Sequence, residues 1–258
     1  MSLPKFYREL YSKKIFTFLE FKEKFGREYS ENYLRKRLND LLNSGYFGKV
    51  KPGLYYIIPQ GTSKEEYVVD KFLVASKLSK NALIGYHSAL ELHGAAYSPS
   101  KILYIITDRS FRPFKFQGVE YRSVKGKTSF GKTFLLREGQ KLSVSDRERT
   151  LIDGISRLKY SGGVEEYFKS IEMFPYVDFK KILKYLKIYQ KKVLYRKVGF
   201  ILSYFTKKWN FPKKVKSKMK ANLSKKIYYL TSRKEKNQLN KEWNLIVPVR
   251  LESLIKEQ

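Results

Sequence analysis

Apolar residues recur at helical spacing from the start of the chain: Leu3, Phe6, Tyr7, Leu10 and Tyr11 fall on one side of a 3.6-residue turn. Ser2 is a candidate cap for that helix, and Pro4 is tolerated in its first turn. The run Ile15-Phe16-Thr17-Phe18 then breaks the period with a short β-prone stretch. A second helix is predicted from Leu19 to Phe25, ended by Gly26. Ser30 caps a third, which sets Leu34, Leu38, Leu41 and Leu42 on one face and stops at Gly45. Two strands, Tyr46–Val50 and Leu54–Ile58, flank a tight turn at Lys51-Pro52-Gly53. Helix, strand, helix, turn, helix, hairpin is the order of a winged helix-turn-helix. The pattern predicts such a domain over residues 1–61.

Ser63-Lys64-Glu65-Glu66 has the spacing of a capping box and predicts a linking helix within 62–80, running to about Leu78. The remainder, 81–258, predicts one α+β domain. Tyr86–Gly94 forms a short helix ended by glycine, Lys101–Thr107 a strand, Phe114–Arg122 a hairpin and Thr133–Leu136 a further strand. Ser145-Asp146-Arg147-Glu148 opens a helix in which Leu151, Ile152 and Ile155 turn inward. Three amphipathic helices follow at Glu165–Phe174, Phe179–Tyr189 and Val193–Phe205. The last is unusually apolar for an exposed helix. Ile227–Leu230 and Trp243–Val249 read as strands, and Pro248 suggests that the closing strand lies at a sheet edge. The fold class expected is therefore α+β, an N-terminal winged helix followed by a mixed domain with a lysine-rich helical part.

Charge sharpens this picture. The chain of 258 residues carries 54 Lys and Arg against 24 Asp and Glu, a formal charge of +30. Residues 179–241 alone hold 21 of the cations and one carboxylate, Glu235. Such a field favours a polyanion or an acidic partner over simple solubility. The run Lys213, Lys214, Lys216, Lys218 and Lys220 is the predicted basic patch. Cysteine is absent, which excludes disulfide and thiolate chemistry and fits a reducing compartment. No apolar run approaches the ~18 residues of a membrane span, and no leader pattern is visible at the N-terminus. A cytoplasmic protein without a membrane partner is expected.

The third helix carries the most pointed chemistry. Opposite its leucines stand Asn32, Arg35, Lys36 and Asn39, with Tyr33 and Arg37 at the flanks and Ser30 at the cap. Asn pairs bidentately with adenine and Arg with guanine in the major groove, and the flanking residues would meet phosphate. Lys49 and Lys51, at the hairpin tip, would reach the neighbouring backbone or the minor groove. The partner expected is double-stranded DNA, bound by a possible homodimer.

Catalytic signals are sparse. His87 and His93 are six apart, off one helical face, so a two-histidine metal site is not expected. Gly-rich phosphate loops and Gly-x-Ser-x-Gly elbows are missing. Asp108 with Glu120 and Arg122 loosely matches a metal-dependent nuclease pattern, which remains an alternative function. An RNA-binding module using the lysine-rich C-terminal helices is another. No cofactor, metal or catalytic residue is expected.

Four segments, YHSALELHG (86–94), VSDRERTLIDGI (144–155), YRKVGFILSYF (195–205) and EWNLIVPV (242–249), occur in the order seen in the AbiEi-type antitoxin family. The chain resembles that family over most of its length, most specifically at Asp146-Arg147-Glu148-Arg149-Thr150-Leu151-Ile152-Asp153. Its lysine excess and residues 207–241 depart from the pattern. The resemblance implies a transcriptional autorepressor of a type IV toxin–antitoxin pair, counteracting a nucleotidyltransferase-like toxin. The acids of the specific stretch also have a purely architectural reading, in which Asp146, Glu148 and Asp153 cap and balance a helix N-terminus and pair with Arg147 and Arg149.

Overall fold

The computed structural model describes residues 3–231 and 236–251. It is a mixed α+β structure in two compact units, interleaved along the chain. The first unit comprises residues 1–84, 101–128 and 134–143. The second comprises 85–100, 129–133 and 144–258. The predicted segment 81–258 is thus divided between them.

The first unit begins with α1 (Lys5–Leu10), whose cap is Pro4; the predicted Ser2 cap lies outside the described residues. Next come β1 (Ile15–Thr17), α2 (Phe18–Phe25), α3 (Glu31–Asn43), β2 (Phe47–Lys51) and β3 (Leu54–Ile57). The three strands form an antiparallel sheet in the order β1-β3-β2. Its core is strongly aromatic: Phe6, Tyr7, Phe16, Phe21, Phe25 and Phe47 meet Leu34, Leu38 and Leu41 of α3. Thr17 and Glu20 make a reciprocal capping box at α2. At Gly48 a Cβ would stand only 2.0 Å from the Tyr56 ring, so only glycine lets that ring cross the strand.

Between residues 62 and 80 the structure departs from the pattern. The Ser63–Glu66 box is made, with backbone-to-side-chain bonds of 3.2 and 3.3 Å, but it closes only a turn. The helix α4 is short, Lys71–Ser76. Asp70 is the physical reason: its carboxylate accepts the amides of Phe72 and Leu73, which fixes a new N-terminus there. A six-stranded sheet completes the unit. It contains β4 (Leu83–Ile84), β5 (Ile102–Thr107), β6 (Phe114–Phe116), β7 (Val119–Lys125), β8 (Lys132–Arg137) and β9 (Gln140–Ser145), in the order β6-β7-β5-β4-β9-β8. The ends of β8 and β9 belong to the second unit. β5 runs parallel to β7 and is buried from Leu103 to Thr107, as its near-continuous apolar sequence requires. Gln117 and Gly118, both at positive φ, make the β6–β7 turn.

In the second unit, α5 (His87–Leu92), α6 (Arg147–Ser156), α7 (Val164–Glu172), α8 (Phe179–Tyr189), α9 (Lys192–Tyr204), α10 (Thr206–Trp209) and α11 (Lys213–Lys220) surround one core. The cap of α6 is Asp146, not Ser145. The Asp146 carboxylate accepts the amide of Arg149, while the Ser145 hydroxyl is engaged by Thr150. The apolar helix α9 is the core helix, with Leu194–Arg196 and Val198–Leu202 buried; this explains the missing polar face. Gly199 lies against Trp243, where a Cβ would sit 2.2 Å from the indole.

A small sheet of β10 (Tyr228–Tyr229), β12 (Leu245–Pro248) and β11 (Asn237–Asn240), in that order, ends the unit. The Pro248 strand is therefore central, contrary to the edge expected from its proline. β10 pairs only with Leu245 and Ile246, so Pro248 stands beyond that ladder and its missing amide breaks no bond.

Candidate nucleic-acid interface

Ser30 accepts the amide of Tyr33 at 3.3 Å and sets the start of α3. From there the leucine spacing decides which side is buried. Leu34, Leu38 and Leu41 are interior, and the opposite face projects Asn32, Arg35, Lys36 and Asn39, all exposed. Among the described residues Asn32, Lys36 and Asn39 make no hydrogen bond or ion pair, so their polar atoms are uncommitted.

Arg35 and Arg37 are held on the helix. Arg35 donates to Glu31 at 2.7 and 3.2 Å and lies 4.3 Å from the Phe18 ring centre. The Lys22 ammonium, at 2.5 Å, and the Arg35 guanidinium hold the Glu31 carboxyl below its usual range. Arg37 donates to the Tyr33 hydroxyl at 3.0 Å and to Asp40 at 3.3 Å, and Tyr33 stacks on Tyr29. These exposed pairs stabilise little and are broken readily when a phosphate competes.

The hairpin places its lysines differently. Lys49 is exposed, whereas Lys51 is half-buried, its ammonium 5.4 and 5.2 Å from the Phe111 and Phe114 ring centres. Burial pushes the Lys51 ammonium down from its usual range. The sequence suggested a free tip at Lys51. Two aromatic rings, Phe111 from the β5–β6 connection and Phe114 at the start of β6, some 60 residues on, hold it instead.

The basic patch on α11 is partly neutralised. Lys216 and Lys220 both reach Glu242, at 2.7 and 3.0 Å, while Lys213, Lys214 and Lys218 are exposed. Glu242, outside the lysine-rich stretch in sequence, could not be paired with it from spacing alone.

The nuclease pattern is not brought together. Glu120 stands opposite Ile102 at the start of β5, and Asp108 follows Thr107 at its far end. Six residues of strand separate them, roughly 20 Å, far beyond a shared metal ion. Glu120 pairs with Arg122 at 2.8 Å, and Asp108 accepts the amide of Arg109. Among the described residues no group of three or more metal-ligating side chains is found, and no helix is long and apolar enough to cross a membrane.

The acidic stretch of α6 forms a buried polar network. Arg149, 2% exposed, donates to Asp153 at 3.1 Å and to the Phe130 carbonyl at 2.5 Å, with its guanidinium 4.3 Å from the Phe130 ring. The Tyr189 hydroxyl donates to Asp153 at 2.5 Å, and the Tyr185 hydroxyl to Asp146 at 2.6 Å. Burial pushes the Asp153 carboxyl up, against the pull of Arg149 and Tyr189. Glu148 accepts the amide of Asp178, and Arg147 lies over Tyr176. The roles of all five residues are architectural: they fasten α8, the turn before it and the 129–133 segment to α6.

His87 is buried between two carboxylates, Glu91 at 3.3 Å on Nδ1 and Glu166 at 3.2 Å on Nε2. Burial lowers the imidazole pKa, but the two carboxylates outweigh it and leave it raised. The stabilisation from charged His87 is complete below its unfolded value near 6.5 and is lost as pH climbs through the raised folded value. We expect urea midpoints to fall between pH 6 and 9, and His87→Gln to flatten that fall. An equally steep fall in the variant would place the pH dependence elsewhere. His93 is different: its Nε2 meets the Ser145 carbonyl at 2.7 Å, and burial lowers its pKa, so it is a neutral donor there.

No protein-family model matches the sequence, and no curated protein sequence matches it. By structure the chain is similar to the RV2827C protein from Mycobacterium tuberculosis, with a TM-score of 0.65 and 12% identity over 99% of this chain and 96% of that one. At that identity the likeness is one of fold.

Proposed function

We propose that residues 3–58 form a winged helix-turn-helix that reads duplex DNA, with α3 entering the major groove. The chain as a whole is then a transcriptional regulator, of the autorepressing antitoxin kind that its sequence resemblance to AbiEi-type proteins implies. The observation that carries this reading is the outer face of α3. Asn32, Lys36 and Asn39 project from it with no internal partner among the described residues, opposite the buried row Leu34, Leu38 and Leu41. A surface that presents two amides and an ammonium on one helical stripe suits base edges, and Arg35 and Arg37 beside it suit phosphate. On the antitoxin reading the cognate DNA is the chain's own promoter, and the functional partner is a nucleotidyltransferase-like toxin.

Asn32→Ala with Asn39→Ala tests the helix. Removing a bidentate base pairing takes away about 1–3 kcal/mol of discrimination. Gel shifts against promoter and scrambled duplexes should show the promoter preference falling at least tenfold in the double variant, with non-specific affinity kept. Discrimination equal to wild type would mean that another surface reads the bases. A toxin supplied in trans, whose growth arrest the intact chain relieves, tests the antitoxin half separately.

The free lysines of α11 supply a second expected result. Reversing Lys213, Lys214 and Lys218 to glutamate should weaken specific and scrambled duplexes alike. Every phosphate that is no longer neutralised flattens the salt dependence by about 0.9 in log–log slope. A slope equal to wild type would show that α11 does not touch the duplex.

A further inference from the structure

A second cationic feature, unrelated to α3, lies wholly within the second unit. The end of α6, the start of α7, α9 and the strand-end residues Leu230 and Thr231 line a cavity of about 490 Å³. That is within the usual ~300–1,000 Å³ of small-molecule sites. Four cations border it, Arg157, Lys159, Lys197 and Arg250, and among the described residues no carboxylate lines it. Arg250 pairs with Glu165 at 2.8 Å, and Arg157 acts electrostatically on the buried Asp153 carboxyl.

Three observations point to an anion. The Lys197 ammonium is half-buried and donates to the Leu230 carbonyl at 2.9 Å, yet pairs with no carboxylate among the described residues. Burial alone pushes it down from its usual range. A buried cation without a counter-charge is costly unless a ligand supplies one. The Thr231 hydroxyl, also on the wall, is buried and has no hydrogen-bond partner among the described residues. Finally, α7 opens on Gly163, at φ +96°, with no side chain capping its first amides, and a Cβ there would meet nothing. Those amides face no competing side-chain oxygen from the cap, and the helix dipole favours negative charge at them.

The rest of the lining is apolar or aromatic. Leu158, Val164 and Leu230 form walls, and the Tyr160 ring sits 5.7 Å from both the Arg157 guanidinium and the Lys159 ammonium. A bare phosphate would leave that surface unused; a phosphate ester with a flat, aromatic end would cover it.

We propose that this cavity binds a nucleoside phosphate, its phosphates held by Arg157, Lys197 and the first amides of α7, and its base laid against Tyr160 and the leucine walls. It would be a small-molecule site separate from the α3 surface, and it stands or falls independently of whether α3 reads DNA.

Calorimetric titration of the full chain with ATP, GTP, CTP and UTP, at roughly 0.15 M salt to screen diffuse attraction, tests it. Pyrophosphate serves as the phosphate-only probe. Saturable one-to-one binding of at least one nucleotide, tighter than pyrophosphate, is expected. Arg157→Ala and Lys197→Met should each weaken it roughly tenfold or more, the size of a lost charge-assisted hydrogen bond. Lys64→Ala, exposed and outside the cavity, should leave it unchanged. Arg157 is exposed, so its variant keeps the test decisive should Lys197→Met fail to fold by circular dichroism. The proposal is overturned by absence of saturable binding for all four nucleotides, by pyrophosphate binding as tightly as the best of them, or by binding that ignores Arg157→Ala.

Discussion

Arg149→Met should cost about 3–5 kcal/mol of stability, the largest loss expected from any single side chain in the second unit. The reason is asymmetry. Arg149 and Asp153 are both buried, so removing the guanidinium strands a carboxylate whose charge has no route to water. Tyr189 would still donate to Asp153, but one neutral donor does not replace an ion pair. In a thermal scan the loss corresponds to a drop of roughly 10 °C or more. Arg149→Met combined with Asp153→Leu should recover most of it, because two apolar groups of similar volume satisfy each other. A single variant that melts within a degree or two of wild type would show that the pair is not desolvated in solution.

Gly199→Ala is the second large effect, and it acts through volume. The added methyl would stand 2.2–2.5 Å from three carbons of the Trp243 ring, where separations near 4 Å are needed. Trp243 cannot retreat: it is fully buried, and its indole N–H donates to Ser203 at 3.0 Å. Its carbonyl also accepts from the buried Arg196. Overpacking of this kind costs typically 1–3 kcal/mol and sometimes more, and here about 3 kcal/mol is expected. Trp243→Leu should be harmful alone yet partly rescue Gly199→Ala, giving a coupling of about 1 kcal/mol or more in a double-mutant cycle. Strictly additive losses would mean that the two residues do not touch.

These two sites show where sequence reading succeeded and where it stopped. Periodicity located α3, α8 and α9 to within a residue or two, because each buries a continuous stripe. The same signal could not find β4, which is two residues long, and it passed over β9, whose alternation rests on only two apolar residues, Leu142 and Val144. Arg35 and Glu31 are four apart, so their pairing was open to inference from spacing. The Lys51 aromatic seat, the Glu242 clamp on α11 and the Arg157–Lys197–Thr231 cavity were not, since each joins residues 22 to 74 positions apart. The α6 acids were legible as helix-capping residues, but the identity of the cap was misplaced by one residue because Ser145 and Asp146 are both competent caps.

The interleaving of the two units has a consequence for synthesis. The six-stranded sheet puts β9 beside β4, although 55 residues lie between them. A chain leaving the ribosome at roughly 5–20 residues per second therefore holds β4 without its final neighbour for several seconds. During that interval the edge of β4, Leu83–Ile84, is open on the side that β9 later covers. The aromatic-cored segment of residues 3–58 depends on no later strand for its own sheet and is free to fold at once. Nascent chains halted near residue 130 should thus be the most prone to capture by chaperones, and those halted at 60 or beyond 150 much less so.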